Sequence, residues 1–236
     1  MKIDKFMTPR LLAVASFVAP ESRVADIGTD HAYIPIWLLE HGVSKSALAM
    51  DINKGPIDRA NENILKFHLE DKIKTRLSNG LENLKEGEAD TIVIAGMGGI
   101  LINEILKEAK EKHFGIKHFI LQPMTAIEET RKFLEENGFC ILNERLAKED
   151  EKLYCVLLVS RGEMKIDREI DYYIGQKLIE NKDPLLLDYL NGKLYEYEKA
   201  ISLLKQGDCA KNAERLSHFT FLVEEMKKLK ERCITW

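Results

Sequence analysis

The chain has 236 residues, of which 45% are hydrophobic and 31% charged, with a formal net charge of −4. That length suits one main domain with an appendage, and no apolar run approaches the ~20 residues that span a bilayer. The acidic balance confines any nucleic-acid surface to a local patch. The N-terminal "MKIDKFMTPR" lacks the apolar stretch of a signal peptide, so the expected location is cytoplasmic. Cys140, Cys155, Cys209 and Cys233 show no C-x-x-C spacing and no histidine in ligand register. They predict buried free thiols, with neither a zinc site nor a disulfide scaffold.

Thr8-Pro9 predicts a helix start, with Leu11, Leu12, Ala15 and Val18 on one face. A short strand "RVADIG" (23–28) precedes a helix over 33–41 closed by Gly42, and "ALAMD" (47–51) is a second strand. A helix over about 55–67, a strand "IKTRL" (73–77) and the most apolar strand, "TIVIAG" (91–96), follow. Then come a helix from Ile100, the strand "HFILQ" (118–122), a helix over about 126–137, and strands at 139–146 and 153–160 joined by the polar "LAKEDEK". Strands alternating with helices predict right-handed crossovers and a mostly parallel sheet. An α/β sheet closed by an antiparallel hairpin resembles the S-adenosylmethionine-dependent methyltransferases, a variant of the dinucleotide-binding folds.

After "SRGEMKID" no strand pattern appears. Leu186, Tyr189, Leu190, Leu194, Tyr197, Ile201 and Leu204 recur at helical spacing, and after "QGD" so do Leu216, Phe219, Leu222, Met226 and Leu229. Two facing stripes predict an antiparallel helical hairpin. The expected domains are 1–162, Rossmann-like, and 163–236, a helical coiled coil.

The chemistry gathers at strand ends. Asp26 stands two residues before Gly28, as in the pattern D-x-G-x-G-x-G, but Asp30 and Ala32 replace the later glycines. A pyrophosphate wants a glycine-rich turn without a carboxylate beside it. Asp26 and Asp30 instead suit a cationic ligand carrying an ammonium and a sulfonium; alternatively, Asp30 caps the following helix. Asp51, 23 residues beyond Gly28, ends the second strand, where a carboxylate can accept hydrogen bonds from both ribose hydroxyls; it can also be a plain turn residue. Asn79-Gly80 follows the third strand, where such enzymes often bind the adenine, and is by itself an ordinary turn pair. Gly96-Met97-Gly98-Gly99 ends the fourth strand and leaves room for a planar substrate, with Met97 as a soft contact, or forms a tight turn needing positive φ. Gln122 ends the fifth strand on the same rim.

The segments "RLLAVASFVAPESRVADIGTDHAYIPIWLLEHG", "IAGMGGILINEIL" and "ILQPMTAIEETRKFLEENGF" together resemble the bacterial tRNA (adenine-22-N1)-methyltransferase family over roughly residues 8–160. In that family a Rossmann-like domain precedes a C-terminal helical coiled-coil domain. The resemblance implies S-adenosylmethionine as cofactor and tRNA as partner, with no metal and no membrane; oligomeric state stays open. By position it implies that Asp26, Gly28, Asp30, His31, Asp51, Asn79, Gly80 and Gly96 line the cofactor. Met97, Gly98, Gly99, Gln122 and Tyr33 would meet the substrate, and Asp26, Asp30 and Met97 would stand nearest the reaction. Tyr33 and His31 can stack on a base or simply pack. The alternatives are a methyltransferase acting on a small molecule or protein, and a non-catalytic module that binds cofactor or RNA. Along the tail, Lys193, Lys199, Lys205, Lys211, Arg215, Lys227, Lys228 and Lys230 are either an RNA-contacting set or a solvated coiled-coil face.

Overall fold

The structure, a computed structural model, describes residues 2–111, 115–207 and 209–235. The chain divides into two compact units, Met1–Lys165 and Ile166–Trp236.

The first unit opens with a 3₁₀ turn, Ile3–Phe6, and helix α1, Pro9–Ala15. Thr8 caps α1, its hydroxyl accepting from Leu11 N–H at 3.4 Å, and Pro9 takes the first turn, where its missing N–H costs nothing. Strands β1 (Ser22–Ile27), β2 (Ser44–Asp51), β4 (Thr91–Met97) and β5 (His118–Pro123) are each followed by a helix, α2 (Tyr33–Glu40), α3 (Lys54–Lys66), α4 (Gly99–Glu111) and α5 (Ile127–Glu136), whereas β3 (Ile73–Leu77) runs on to β4 through turns alone. Strands β6 (Phe139–Glu149) and β7 (Lys152–Arg161) close the unit in a seven-stranded sheet of order β3-β2-β1-β4-β5-β7-β6.

The first five strands pair in parallel; β7 lies antiparallel between β5 and β6. The inner strands carry continuous apolar runs such as "TIVI" of β4, all four buried, because helices cover both faces of the sheet. The strand order reverses between β1 and β4, and in such sheets ligands bind beyond the strand ends at that crevice. Gly28 and Gly96 to Gly99 therefore fall at the same place.

Three local expectations need correction. "LAKEDEK" is not a loop: pairing continues to Glu149 opposite Lys152, leaving Asp150, at φ 53°, and Glu151 as the turn. A strand near the sheet edge needs ladder partners more than apolar side chains, so polarity misled the reading. Helix α2 is not capped by Asp30, since its cap residue is Ala32 in a left-handed conformation with no side-chain bond. Of the cysteines, only Cys155 is buried; Cys140 and Cys233 are half-buried free thiols, and the Cys209 side chain lies outside the described residues.

The core of this unit includes an ion pair. Arg131 of α5 donates through Nε to Glu144 Oε1 of β6 at 2.8 Å, and both side chains are essentially inaccessible. The Cys155 thiol lies 3.5 Å from Arg131 Nη2.

The second unit holds α6 (Glu169–Ile174), α7 (Gln176–Glu180), α8 (Leu186–Gln206) and α9 (Cys209–Ile234). The long pair α8 and α9 pack against each other as a hairpin. The two short helices, separated by Gly175 at φ 105°, span less than two turns each and escape periodicity reading. The α8 stripe is buried at Leu186, Tyr189, Leu190 and Leu194 and half-buried at Tyr197, Ile201 and Leu204. On α9 the buried members are Leu222, Met226 and Leu229. Lys193 pairs with Glu196 at 3.1 Å, Lys227 with Glu198 at 2.8 Å and Lys228 with Glu225 at 2.7 Å. At least these three of the eight basic candidates thus have acidic partners within the hairpin. Among the described residues, no helix is long and apolar enough to cross a membrane.

Candidate functional site

The site begins at the end of β1. Gly28, at φ 77°, turns the chain so that its own N–H and that of Thr29 both donate to Met50 O of β2, at 2.8 and 2.9 Å. Asp26 is buried just below. Loss of water pushes its carboxyl up from 3.8 to about 6, the neighbouring Asp51 charge adds to the rise, and the Thr29 hydroxyl opposes it. That hydroxyl is close enough to act on Asp26 but meets no partner in hydrogen-bonding geometry. Asp51 ends β2 half-buried, with Oδ1 accepting the Asn53 N–H at 2.7 Å. The two carboxylates repel each other, and that repulsion is available to a positively charged ligand. Beyond Asp51 stands Ile52, an apolar side chain left 61% exposed, which the sequence reading passed over.

Across the crevice, β4 ends irregularly. Ala95 pairs with Gln122 and Met97 with Pro123, so Gly96 is the extra residue of a bulge, at φ 78°. Gly98 and Gly99 do not share that positive φ. The bulge swings Met97 over the β1 turn: a side-chain carbon on Gly28 would lie 1.9 Å from Met97 Cε. The two glycine-bearing turns are therefore interlocked. Gly99 belongs to packing, since a side-chain carbon there would stand 2.5 Å from both Ala126 O and Thr130 Oγ1, while at Gly98 the nearest atom is Thr125 Oγ1 at 3.3 Å. Gln122 is fully buried beneath the bulge. Its Oε1 accepts from Gly96 N–H at 3.1 Å and from Arg10 Nη1 at 2.9 Å.

The remaining candidates lie around this centre. Asp30 is exposed, its carboxylate shared by Arg59 of α3, whose Nε donates to Oδ1 at 3.0 Å, and His31 at 3.2 Å. Tyr33 is the middle of a ladder of rings, 5.1 Å from Phe6 and 4.9 Å from His31, with both its faces covered. Asn79 is exposed and donates to Glu82 Oε1 at 2.9 Å; Gly80, at φ 53°, closes the turn after β3. Sequence reasoning missed Arg10 and Arg59. Nothing local marks either, because their partners lie 112 and 29 residues away. Among the described residues no cluster of three or more His, Cys, Asp or Glu is arranged to hold a metal.

A buried and a half-buried acid beside two glycine-bearing turns at a strand-order switch can bind a cation-bearing nucleoside, with room for a second planar group. Comparison with known proteins agrees with this. A family model described as a methyltransferase domain matches residues 7–157. The tRNA (adenine(22)-N(1))-methyltransferase of Bacillus subtilis is 32% identical over 95% of this chain and 96% of its own. The solved B. subtilis M1A22 tRNA methyltransferase TrmK superposes with a TM-score of 0.85 at 31% identity, covering 95% of this chain and 98% of that one. A Streptococcus pneumoniae structure in complex with S-adenosyl-L-methionine gives a TM-score of 0.85 at 33% identity, over 95% and 99% of the two chains. Matched over nearly its whole length in sequence and in fold, the chain belongs to the tRNA (adenine-22-N1)-methyltransferase family.

Proposed function

We propose that the chain transfers the methyl group of S-adenosyl-L-methionine to N1 of adenine 22 in tRNA, in the cytoplasm. The observation that carries this reading is the pair of acids, Asp26 and Asp51, set across the strand-order switch from the bulged Gly96 turn. The pair fits the cofactor in kind: a sulfonium and an ammonium offset the carboxylate repulsion, and ribose hydroxyls can donate to Asp51. Asp26 faces the cationic part, Gly28 brings main chain close to it, and Asn79, Gly80 and exposed Ile52 border the adenine. Asp30 and His31 flank the same turn, with Asp30 already held by Arg59.

When bound, S-adenosyl-L-methionine supplies an electrophilic methyl group. The N1 lone pair of neutral adenine forms the new N–C bond as the C–S bond breaks and its electron pair goes to sulfur. No proton moves in that step, so no general base is required. The protein's part is alignment and charge. Met97 and Gly98 border the reacting atoms, Gly96 shapes the opening, and Gly99 and Gln122 hold it from below. Positive charge appears on the adenine ring, and ionised Asp26 lies on the side that favours it. A base within a folded tRNA arm must leave its stack to reach this opening, at a cost of a few kcal/mol. Of the rings near the turn, His31 is the one with an end of the ladder to offer, because Tyr33 is covered on both faces.

Incubation with labelled S-adenosyl-L-methionine and bulk bacterial tRNA, followed by nucleoside mapping, tests the proposal. Label in 1-methyladenosine at position 22 is the expected result. Label only in metabolites or protein would identify a different acceptor, and tight cofactor binding with no transfer would identify a binding module.

A further inference from the structure

We infer that Arg10 is a positioning residue for the acceptor side of the site, acting through Gln122 on the Gly96 bulge. Three observations converge. A bulge leaves its extra residue outside the ladder, and the Gly96 N–H is taken by the Gln122 side chain at 3.1 Å, so the bulge depends on a side chain for its shape. Gln122 cannot swing freely, because its Nε2 donates to Pro123 O at 3.0 Å and lies 3.5 Å from Met124 Sδ. Its Oε1 has a second donor, Arg10 Nη1 at 2.9 Å, which sets the rotation of the amide and so the direction in which Gly96 is held.

Arg10 is itself held from two sides. Its Nε lies 3.8 Å from Glu149 Oε2, an oxygen with no hydrogen-bond partner among the described residues, and its guanidinium carbon sits 5.4 Å from the centre of the Tyr154 ring. The chain that ends at the bulge therefore starts at the β6–β7 hairpin: Glu149, Arg10, Gln122, Gly96. Helix α1, strand β5 and the hairpin are fixed to one main-chain N–H. Met97 rides on that bulge and lies against the Gly28 turn, so a rotation of the Gln122 amide moves the side chain that borders the reacting methyl. Lysine cannot reproduce the arrangement in full, since one ammonium replaces a planar fork that reaches Gln122 and Glu149 at once.

The inference rests on the proposed methyl transfer for its kinetic consequences, but not for its structural one. The test uses the full chain with Arg10→Met, Arg10→Lys, Gln122→Met and the double variant Arg10→Met/Gln122→Met. Amide hydrogen exchange at Gly96, without tRNA, should accelerate at least tenfold in Arg10→Met and in Gln122→Met, with amides of β1 unchanged. In methyl transfer, kcat should fall about a hundredfold with the tRNA KM within threefold, as expected for a misplacement near 1 Å. The double variant should be no worse than Gln122→Met alone, because both act on one path. Arg10→Lys should recover part of the loss. Unchanged exchange at Gly96, or additive losses in the double variant, would overturn the inference. So would a rise in tRNA KM at constant kcat, which would place Arg10 on the RNA itself. A parent protein that transfers no methyl to tRNA would sink the function while leaving the exchange result to judge Arg10.

Discussion

Asp26 shows how far a single position can set binding against stability. Its carboxyl ionises at about 6 in the folded chain and near 3.8 when exposed, a difference of roughly 3 kcal/mol against the charged form. The folded pKa is the raised one, so the favourable contribution is full below 3.8 and is lost as pH rises through about 6. Asp26→Asn in the ligand-free protein should therefore raise stability at pH 8 by about 1–3 kcal/mol and by roughly half as much at pH 5. The parent's affinity for S-adenosyl-L-methionine is expected to rise as pH increases through about 6, and the same change should flatten that rise. Urea denaturation and calorimetric titration at the two pH values check both, and a variant less stable than its parent at pH 8 would contradict the burial argument. Asp51 poses the simpler question, because it is only half-buried. Asp51→Ala should weaken S-adenosylhomocysteine binding by about 1–3 kcal/mol through loss of a charged acceptor. Unchanged affinity on titration would remove it from the site.

Among the elements, α5 and β6 are joined by a charge pair where apolar contact would be the ordinary solution. Arg131 and Glu144 are both inaccessible, so each charge is tolerated chiefly because of the other. Glu144→Ala should cost about 3–5 kcal/mol, since it leaves a guanidinium in the core without its carboxylate, whereas the paired change Arg131→Met/Glu144→Leu should cost little or even stabilise. Urea midpoints of the three proteins decide it; a Glu144→Ala loss below about 1 kcal/mol would mean that water or other groups already solvate Arg131. The hairpin β6–β7 matters beyond its own stability, because Glu149 at its turn stands next to Arg10.

For the molecule as a whole, the division near residue 165 separates the cofactor-binding unit of our proposal from a helical unit whose basic residues offer a reading as an RNA contact. The first unit carries the whole sheet and every residue proposed to touch the cofactor. The second carries a hairpin of 21 and 26 residues, some 30–40 Å long at 1.5 Å per residue, long enough to follow a tRNA arm. A chain ending at Lys165 should keep its affinity for S-adenosyl-L-methionine within about threefold and lose most tRNA affinity, and the loss should shrink as salt rises because phosphate contacts release counterions. Binding measured at two salt concentrations, with circular dichroism to confirm folding, checks this. Full tRNA affinity in the shortened chain would assign the hairpin to stability or self-association, a role consistent with the pairing of Lys193, Lys227 and Lys228 to acids.

What could be read directly was whatever depends on neighbours in the chain. The alternation of strands and helices, the Thr8-Pro9 start, the α8 and α9 stripes, and the spacing of Asp26, Gly28 and Asp51 are local patterns, and local patterns are written in local order. The family resemblance extended these to a cofactor and a substrate. Tertiary structure decided the rest, because those properties belong to residues that meet only after folding. Three glycines in "GMGG" look alike, yet a register shift against β5 makes Gly96 the bulge and the start of α4 against α5 makes Gly99 a packing contact. Asp26 gains its unusual ionisation from burial between β2 and β4 and from Asp51, neither visible in "VADIG". Arg10 sits in an ordinary helix start, and its partner Gln122 is brought to it only when β5 is laid beside β4 in the sheet.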